Sequence, residues 1–235
     1  MSFTVASYNI HKAVGTDGQY SPERILSVLM EIGADIVMLQ EADRRFGPRT
    51  SVLPLAMIAA RTSYRPVPIG SNSVGLGWHG NAALVSDRVA ITAAMPLALP
   101  SLEPRGAILV ETLVDGHPLR LGSMHLDLTG LRRRHQARAI LAQVLNRPKD
   151  MPTILMGDLN EWRRHSGCLI DFGRTYAMAA TGPSFSSGRP LARLDRIMTS
   201  NTIEMIECGN HRSPLSQLAS DHLPVWATLR FAQTT

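Results

Sequence analysis

Four short strings in the chain carry residues able to do chemistry: Tyr8-Asn9-Ile10-His11, Leu39-Gln40-Glu41, Gly157-Asp158-Leu159-Asn160 and Ser220-Asp221-His222-Leu223-Pro224-Val225. Each sits at the polar end or start of an apolar, strand-like run. Strands that share a sheet system deliver such ends to a common rim, so residues far apart in the chain can meet there. A cluster of carboxylate, amide and imidazole groups results, which suits a divalent metal and a phosphate ester.

Singly, each string has a bland reading. A Glu after a strand is often a solvated edge residue, and Asn9 could satisfy backbone groups in a turn. Asp195 beside Arg196 could be a local ion pair, and Asp221 with His222 a capping pair. Together they fit one reaction better. Hard divalent ions want oxygen ligands, which Glu41 and Asn9 supply, and magnesium takes one or two protein carboxylates while keeping several waters. Water attacking phosphorus needs a carboxylate such as Asp158, with the amide of Asn160 expected two residues on along the same side of an extended chain. An imidazole that holds phosphate or leaving oxygen works best with its tautomer fixed by a carboxylate, as His222 with Asp195 would be.

The elements that must carry these groups are legible as patterns. Phe3 to Tyr8 reads as a strand. Ser21-Pro22 reads as an N-cap followed by proline at the first helical position, opening a helix that buries Ile25, Leu26, Leu29 and Met30 and closes at Gly33. Asp35 to Leu39 is then a buried strand leading into Glu41, which completes a strand, helix, strand unit. Asn81 to Val85, Val89 to Ala93, Ala107 to Val114 and Leu119 to Met124 read as strands, the last two joined by the hairpin dipeptide Asp115-Gly116. A second helix is expected from about Arg132 to Leu145, with Ile140, Leu141, Val144 and Leu145 on its apolar face and Pro148 closing it. Thr153 to Met156, Leu194 to Met198, Ile203 to Glu207 and Val225 to Phe231 complete the strands, and Thr181 to Pro190 is a Gly, Ser and Pro loop. No repeat or linker is visible, so one domain over residues 1–235 is expected.

Composition narrows the classes. No apolar run is long enough to span a bilayer, so stable membrane insertion is not expected. Cys168 and Cys208 form neither a disulfide framework nor a metal spacing, and the N-terminus lacks signal-peptide features. A cytoplasmic setting is the expectation. The net charge of +5 is carried almost wholly by arginine, the only lysines being Lys12 and Lys149. Arginine suits bidentate phosphate contacts, although genome composition explains it equally well. Few aromatics argue against an extended stacking platform for single strands.

The order of motifs from residue 9 to residue 222 resembles the endonuclease/exonuclease/phosphatase superfamily of metal-dependent phosphoesterases, with compact bacterial members the nearest in character. The resemblance rests above all on Met156-Gly157-Asp158-Leu159-Asn160, Leu194-Asp195-Arg196-Ile197 and Ser220-Asp221-His222-Leu223-Pro224-Val225. It implies an α/β fold, a four-layer sandwich of two packed mixed β-sheets flanked by helices, with the site at one end. By the same resemblance Glu41 is the principal metal ligand, Asn9 its partner and Asp221 a further metal contact. Asp158 orients or deprotonates the attacking water and Asn160 supports it. His222 binds phosphate or transfers a proton, oriented by Asp195. Ser123-Met124-His125-Leu126 supplies a middle histidine, His125, facing phosphate. Asn81, in Gly80-Asn81-Ala82-Ala83-Leu84, either contacts phosphate or organises a strand start. The implied cofactor is Mg2+ or Mn2+.

One departure bears on the metal. Branches acting on abasic DNA often carry an acid two positions after the first-strand asparagine, where this chain has His11; an imidazole can bind metal or phosphate but lacks the charge. Arg105 resembles a recurring rim residue, with pairing to Glu103 or Glu111 as the rival, and Arg132, Arg133 and Arg134 could offer anions a helix start or simply form a solvated face. His79 after Trp78 could sit near the site, or Trp78 could cover core. The reaction expected is phosphodiester hydrolysis by in-line attack, with nucleic acid the leading substrate class and a phospholipid, small diester or monoester the alternative. No compelling exposed apolar loop for lipid is visible. No protein partner is inferred, and a phosphate-binding module without activity is the rival from another class.

Overall fold

The first strands set the layers. In β1 (Ser2–Asn9), Phe3 and Val5 face one apolar cluster while Ala6 and Tyr8 face another, and β2 (Ile36–Gln40) divides its residues the same way. A strand buried on both faces belongs inside a layered structure. The two pair in parallel, with Asn9 opposite Gln40, and the crossover is the helix α1 (Pro22–Ile32). The computed structural model describes residues 2–44, 47, 49–70, 75–100, 105–147, 151–163 and 167–232.

The remaining elements are α2 (Leu55–Arg61), β3 (Arg65–Pro66), β4 (Ala82–Val85), β5 (Val89–Leu97), β6 (Ala107–Val114), β7 (His117–His125) and α3 (Gly130–Leu145), followed by β8 (Thr153–Asp158), α4 (Cys168–Gly173), β9 (Ala177–Met178), β10 (Asp195–Thr199), β11 (Ile203–Asn210), α5 (Pro214–Ala219) and β12 (Val225–Phe231). They make two mixed six-stranded sheets, β11-β12-β1-β2-β4-β3 and β5-β6-β7-β8-β10-β9. Val5, Met38, Val110, Leu121, Met156 and Ile197 pack between the sheets. Ile25, Leu26 and Leu29 of α1 cover the outer face of the first sheet, while Ala137, Ile140 and Val144 of α3 and Phe172 of α4 cover that of the second. This is the four-layer α/β sandwich expected.

Several elements fall where the sequence pattern puts them: β6 and β12 match residue for residue, Gly33 closes α1 at φ 61°, and Asp115 and Gly116 turn the β6–β7 hairpin with φ of 47° and 86°. Others differ. Met30 and Leu145, expected to be buried, are 47% and 43% exposed. Each lies five residues beyond a buried isoleucine, Ile25 and Ile140, hence about 140° round the helix and past the edge of its apolar stripe. Ser21 precedes α1 with extended backbone, yet its hydroxyl donates to Glu23 Oε2 at 3.2 Å instead of capping a helix N–H. Strand β5 runs on to Leu97, and the short α2, α4 and α5 carry too few turns to show a period. Glu103 and Pro148 lie outside the described residues.

Candidate active site

Strand parity builds the site. Along β8, Ile154 and Met156 point between the sheets, so Asp158 continues the same face at the strand's end; Leu119 and Leu121 lead in the same way to His125 on β7. Phe3 and Val5 lead to Asn9, Ile36 and Met38 to Gln40, and Ile197 shares its face with Asp195. The register then sets both His125 and Asp195 opposite Asp158. Glycine is required just before Asp158. Gly157 has φ 145°, and a Cβ there would lie 1.9 Å from the Met124 carbonyl oxygen.

Below this rim the apolar core gives way to a buried polar chain. Ser7 Oγ donates to Gln40 Oε1 (3.3 Å), Gln40 Nε2 to Ser123 Oγ (3.1 Å), Ser123 Oγ to Asn81 Oδ1 (3.3 Å) and Asn81 Nδ2 to the Gly106 carbonyl (2.9 Å). The chain ties the two sheets together under the site. Asn81 thus serves as a strand-start organiser, with both ends of its amide committed to the scaffold.

Asp158 is the meeting point. Its Oδ2 accepts from Asn9 Nδ2 at 3.0 Å and lies 3.4 Å from His125 Nε2 and 3.9 Å from His222 Nε2; its Oδ1 accepts from the Asn160 backbone N–H at 2.9 Å. Burial opposes its charge, but the two imidazoles and the two donors outweigh burial and hold the carboxyl below its ordinary range. Asn160 does not lie on an extended chain. It has φ 50°, beyond the end of β8, and its side-chain amide donates to the Leu126 carbonyl at 2.9 Å. It shapes the turn that presents Asp158.

His222 Nδ1 donates to Asp195 Oδ2 at 2.8 Å, which directs Nε2 at Asp158. Burial works against a charged imidazole, yet Asp195, Asp158 and Asp221 around it push its pKa up to about 10. Burial also raises the Asp195 carboxyl, so the pair contends for one proton; with two buried carboxylates facing a single ring, that proton resides on His222. Asp195 is held by Ser184, whose Oγ donates to Oδ2 at 2.5 Å, and Phe185 packs on the His222 ring with centroids 4.9 Å apart. Arg196 donates to the Asp195 backbone carbonyl at 3.2 Å, so the local ion-pair reading of these neighbours does not hold.

His125 is the electrostatic opposite of His222. Burial and the Arg105 guanidinium, which donates to its Nε2, push it down to about 4 against the pull of Asp158 and Glu41. The ring is neutral and Arg105 carries the positive charge. Arg105 also donates to the Leu126 carbonyl at 3.0 Å, while Glu111, its expected rival partner, pairs with Arg120 and Arg147. Arg133 is buried against Glu161 and Arg134 pairs with Asp171, so these two members of the arginine run support the scaffold.

The other flank is looser. Glu41 follows β2 with φ 55° and its carboxylate takes the Lys12 ammonium. Burial opposes its charge, and His125, Lys12 and His11 together hold it below the ordinary range. His11 donates its backbone N–H to Asn9 Oδ1 at 3.1 Å, and its Nδ1 lies 3.0 Å from the Val14 carbonyl and 3.9 Å from Asp221 Oδ1. Asp221 thus borders His11. Ser220 Oγ, donating to the Asn9 carbonyl at 2.8 Å, joins the two ends of the chain.

Among the described residues, Asp158, Asp195 and His222 offer ligand atoms all within 4.8 Å, a set that could hold a metal. The His222–Asp195 hydrogen bond already uses one of those nitrogens. Lys12, Ser184 and Phe185 are additions that sequence reasoning missed; Lys12 adjoins a motif, whereas the other two lie in a stretch whose only signal is a loop.

A sequence profile described as the endonuclease/exonuclease/phosphatase family matches residues 6–222. The chain belongs to this family. Its members are phosphoesterases, and the family is typically dependent on a divalent metal. The uncharacterised protein YbhP of Escherichia coli is 28% identical over 97% of this chain and 96% of its own length. Among solved structures, D. rerio TDP2 complexed with single-strand DNA product superposes with a TM-score of 0.74 at 17% identity, covering 97% of this chain and 99% of that one. The Bacteroides thetaiotaomicron mannosyl-6-phosphatase gives 0.73 at 21% identity, covering 97% and 100%. These likenesses show the fold of the family member. No helix among the described residues is long and apolar enough to cross a membrane.

Proposed function

We propose that the chain is a divalent-metal-dependent phosphodiester hydrolase, with nucleic acid the leading substrate class. The observation that carries the reading is the position of Asp158, an ionised buried carboxylate between a charged imidazole at 3.9 Å and a neutral one at 3.4 Å. Such a carboxylate can accept the proton of an attacking water, and the Asn9 amide and the Asn160 N–H fix its two oxygens. The His222 imidazolium, fixed by Asp195, can donate to a phosphoryl or leaving oxygen. Arg105 adds positive charge beside neutral His125, offsetting the charge of the phosphate.

Glu41, Asn9 and Asp221 are the residues that would hold the metal. The donor set fits a hard cation: all are oxygen ligands, and the Glu41 carboxylate, its side chain 22% exposed, already attracts the ammonium of Lys12. A bound divalent ion would polarise a phosphoryl oxygen and offset charge on the departing alkoxide. The single-strand DNA product bound by D. rerio TDP2 supports nucleic acid as the leading class.

A second reading, hydrolysis of a phospholipid or small phosphate ester, gains support from exposed apolar residues beside the site, which the sequence did not reveal. Trp162 is 63% exposed and meets Phe185 edge-on at 5.8 Å, and Leu128 and Leu191 are 61% and 74% exposed. Arg133 bridges the Leu128 carbonyl and Glu161, so Leu128 and Trp162 share one border. The mannosyl-6-phosphatase among the structural neighbours is in keeping with a small ester.

The test is product release from a chromogenic phosphodiester, plasmid DNA and phospholipid vesicles with Mg2+, Mn2+ or chelator, beside Asp158→Ala. Metal-dependent cleavage lost in the variant is expected, with plasmid DNA cut most efficiently. A folded protein inactive on all three would favour the phosphate-binding module.

A further inference from the structure

Three successive non-glycine residues, His11, Lys12 and Ala13, have left-handed backbone with φ of 45°, 57° and 59°. Such conformations cost roughly 1–2 kcal/mol per residue and persist where the surroundings enforce them. Here the turn is pinned by Ala13 N–H to the Ile10 carbonyl (2.8 Å), Val14 N–H to the His11 carbonyl (2.9 Å) and His11 N–H to Asn9 Oδ1 (3.1 Å). Its result is that the Lys12 ammonium reaches the Glu41 carboxylate, with the Lys12 side chain 38% exposed.

The choice of lysine is informative. The chain uses 22 arginines and only two lysines, and one of the two stands on the carboxylate best suited to a metal. A guanidinium would clamp that carboxylate with a planar fork, whereas an ammonium is a single point charge on a flexible stem, able to let go. His11, beside Lys12, adds no negative charge. The flank therefore carries a cation of its own against Glu41.

We propose that Lys12 is a resident counter-cation of Glu41: a divalent ion must compete with its ammonium for that carboxylate, and the displaced ammonium then binds an anionic oxygen of the phosphate. This rests on the assignment of Glu41 as a metal ligand. Lys12 has two effects of opposite sign, weakening metal binding and strengthening phosphate binding.

The experiment is calorimetric titration of Mn2+ into the wild type, Lys12→Met and Lys12→Arg, then of inorganic phosphate into each Mn2+-saturated protein. Lys12→Met should bind Mn2+ about three- to fivefold more tightly, the span of a part-exposed ion pair, and phosphate weaker by a similar factor. Lys12→Arg keeps the charge and should bind Mn2+ no more tightly than the wild type. In a Glu41→Gln background, Lys12→Met should leave the Mn2+ affinity unchanged. Unchanged or weaker Mn2+ binding by Lys12→Met, or phosphate binding that does not fall, overturns the inference while leaving the metal site intact. A wild type that takes up no Mn2+ overturns the metal assignment and the inference with it.

Discussion

On the second-sheet flank of the site, Asp158, Asp195 and His125 stand on strands whose register sets them against one another, and all three are buried. On the first-sheet flank, Glu41, His11 and Lys12 stand beyond strand ends in left-handed backbone and are part-exposed. Ladder register fixes atoms closely and burial strengthens their mutual fields, as proton transfer requires. Open turns give a hydrated cation a way in and out. On the function proposed above, one flank does the chemistry and the other exchanges the metal, so substitutions on them should act on different observables.

The largest effect should come from the buried flank. Asp158→Asn keeps shape and removes the charge that the two imidazoles and Asn9 surround; kcat should fall by about 10²–10⁴ with KM little changed, the range for loss of a general base. Steady-state kinetics on whichever diester the wild type cleaves would check it. Turnover within a few-fold of wild type would break the division between the flanks.

Asp195→Asn comes next, with an expected kcat loss of about 10–100-fold through the misdirected imidazole. It also has a signature in pH. His222 is pushed up to about 10, above its unfolded value of about 6.5, so its stabilising contribution is complete below about 6.5 and lost as pH rises through about 10. The alkaline limb of the rate profile should move to lower pH in the variant, and its unfolding free energy should depend less on pH across that window. Profiles that coincide with wild type would show that Asp195 does not control the ring.

The same contrast explains what the sequence disclosed. Asp158 and Asp195 are legible as polar residues bounding apolar strand-like runs, and the parity of Ile154 and Met156 carries one sheet face into Asp158, whereas His125 is singled out only by what the family resemblance implies. The individual strands are legible from the same alternation, whereas their stacking as a four-layer sandwich is what the family resemblance implies. Asn160 was assigned to the site but with the wrong geometry, since nothing in its neighbours signals φ 50°. Lys12 reaches Glu41 only through three left-handed residues, and Ser184 reaches Asp195 only through a loop folded over the sheet. Contacts set by strand period can be read from sequence, whereas contacts set by irregular backbone cannot.

Glu41→Gln should act on the exchange flank alone. We expect Mn2+ affinity to drop at least about tenfold, since a ligand matters no less than its supporting shell, and the metal-induced rise in melting temperature to shrink with it. Calorimetry and thermal melts read both, and a titration matching wild type would remove Glu41 as a ligand. Ser184→Ala returns to the buried flank with a smaller change. It deletes the donor to Asp195 Oδ2 and leaves the Asp195 N–H unpaired, which should cost about 1–3 kcal/mol in urea unfolding. Mn2+ affinity should stay as it was, and a matching loss there would mean that the flanks are coupled.

The smallest expected effect is the most informative about the exchange flank. His11→Asp places an acid two positions after Asn9, and aspartate tolerates the left-handed backbone that His11 already adopts at φ 45°. The new carboxylate would lie beside Asp221, which His11 Nδ1 approaches at 3.9 Å, and would add negative charge facing Lys12 and the cation position. Mn2+ should bind about two- to fivefold more tightly, a modest gain because the position is half-exposed and the added charge also repels Asp221. Calorimetry should also show the number of ions bound. A second ion in His11→Asp and one in the wild type would make the histidine the feature that limits this chain to a single metal; identical affinity and stoichiometry would mean that the left-handed turn, through Lys12, sets the electrostatics of this flank whatever residue stands at position 11.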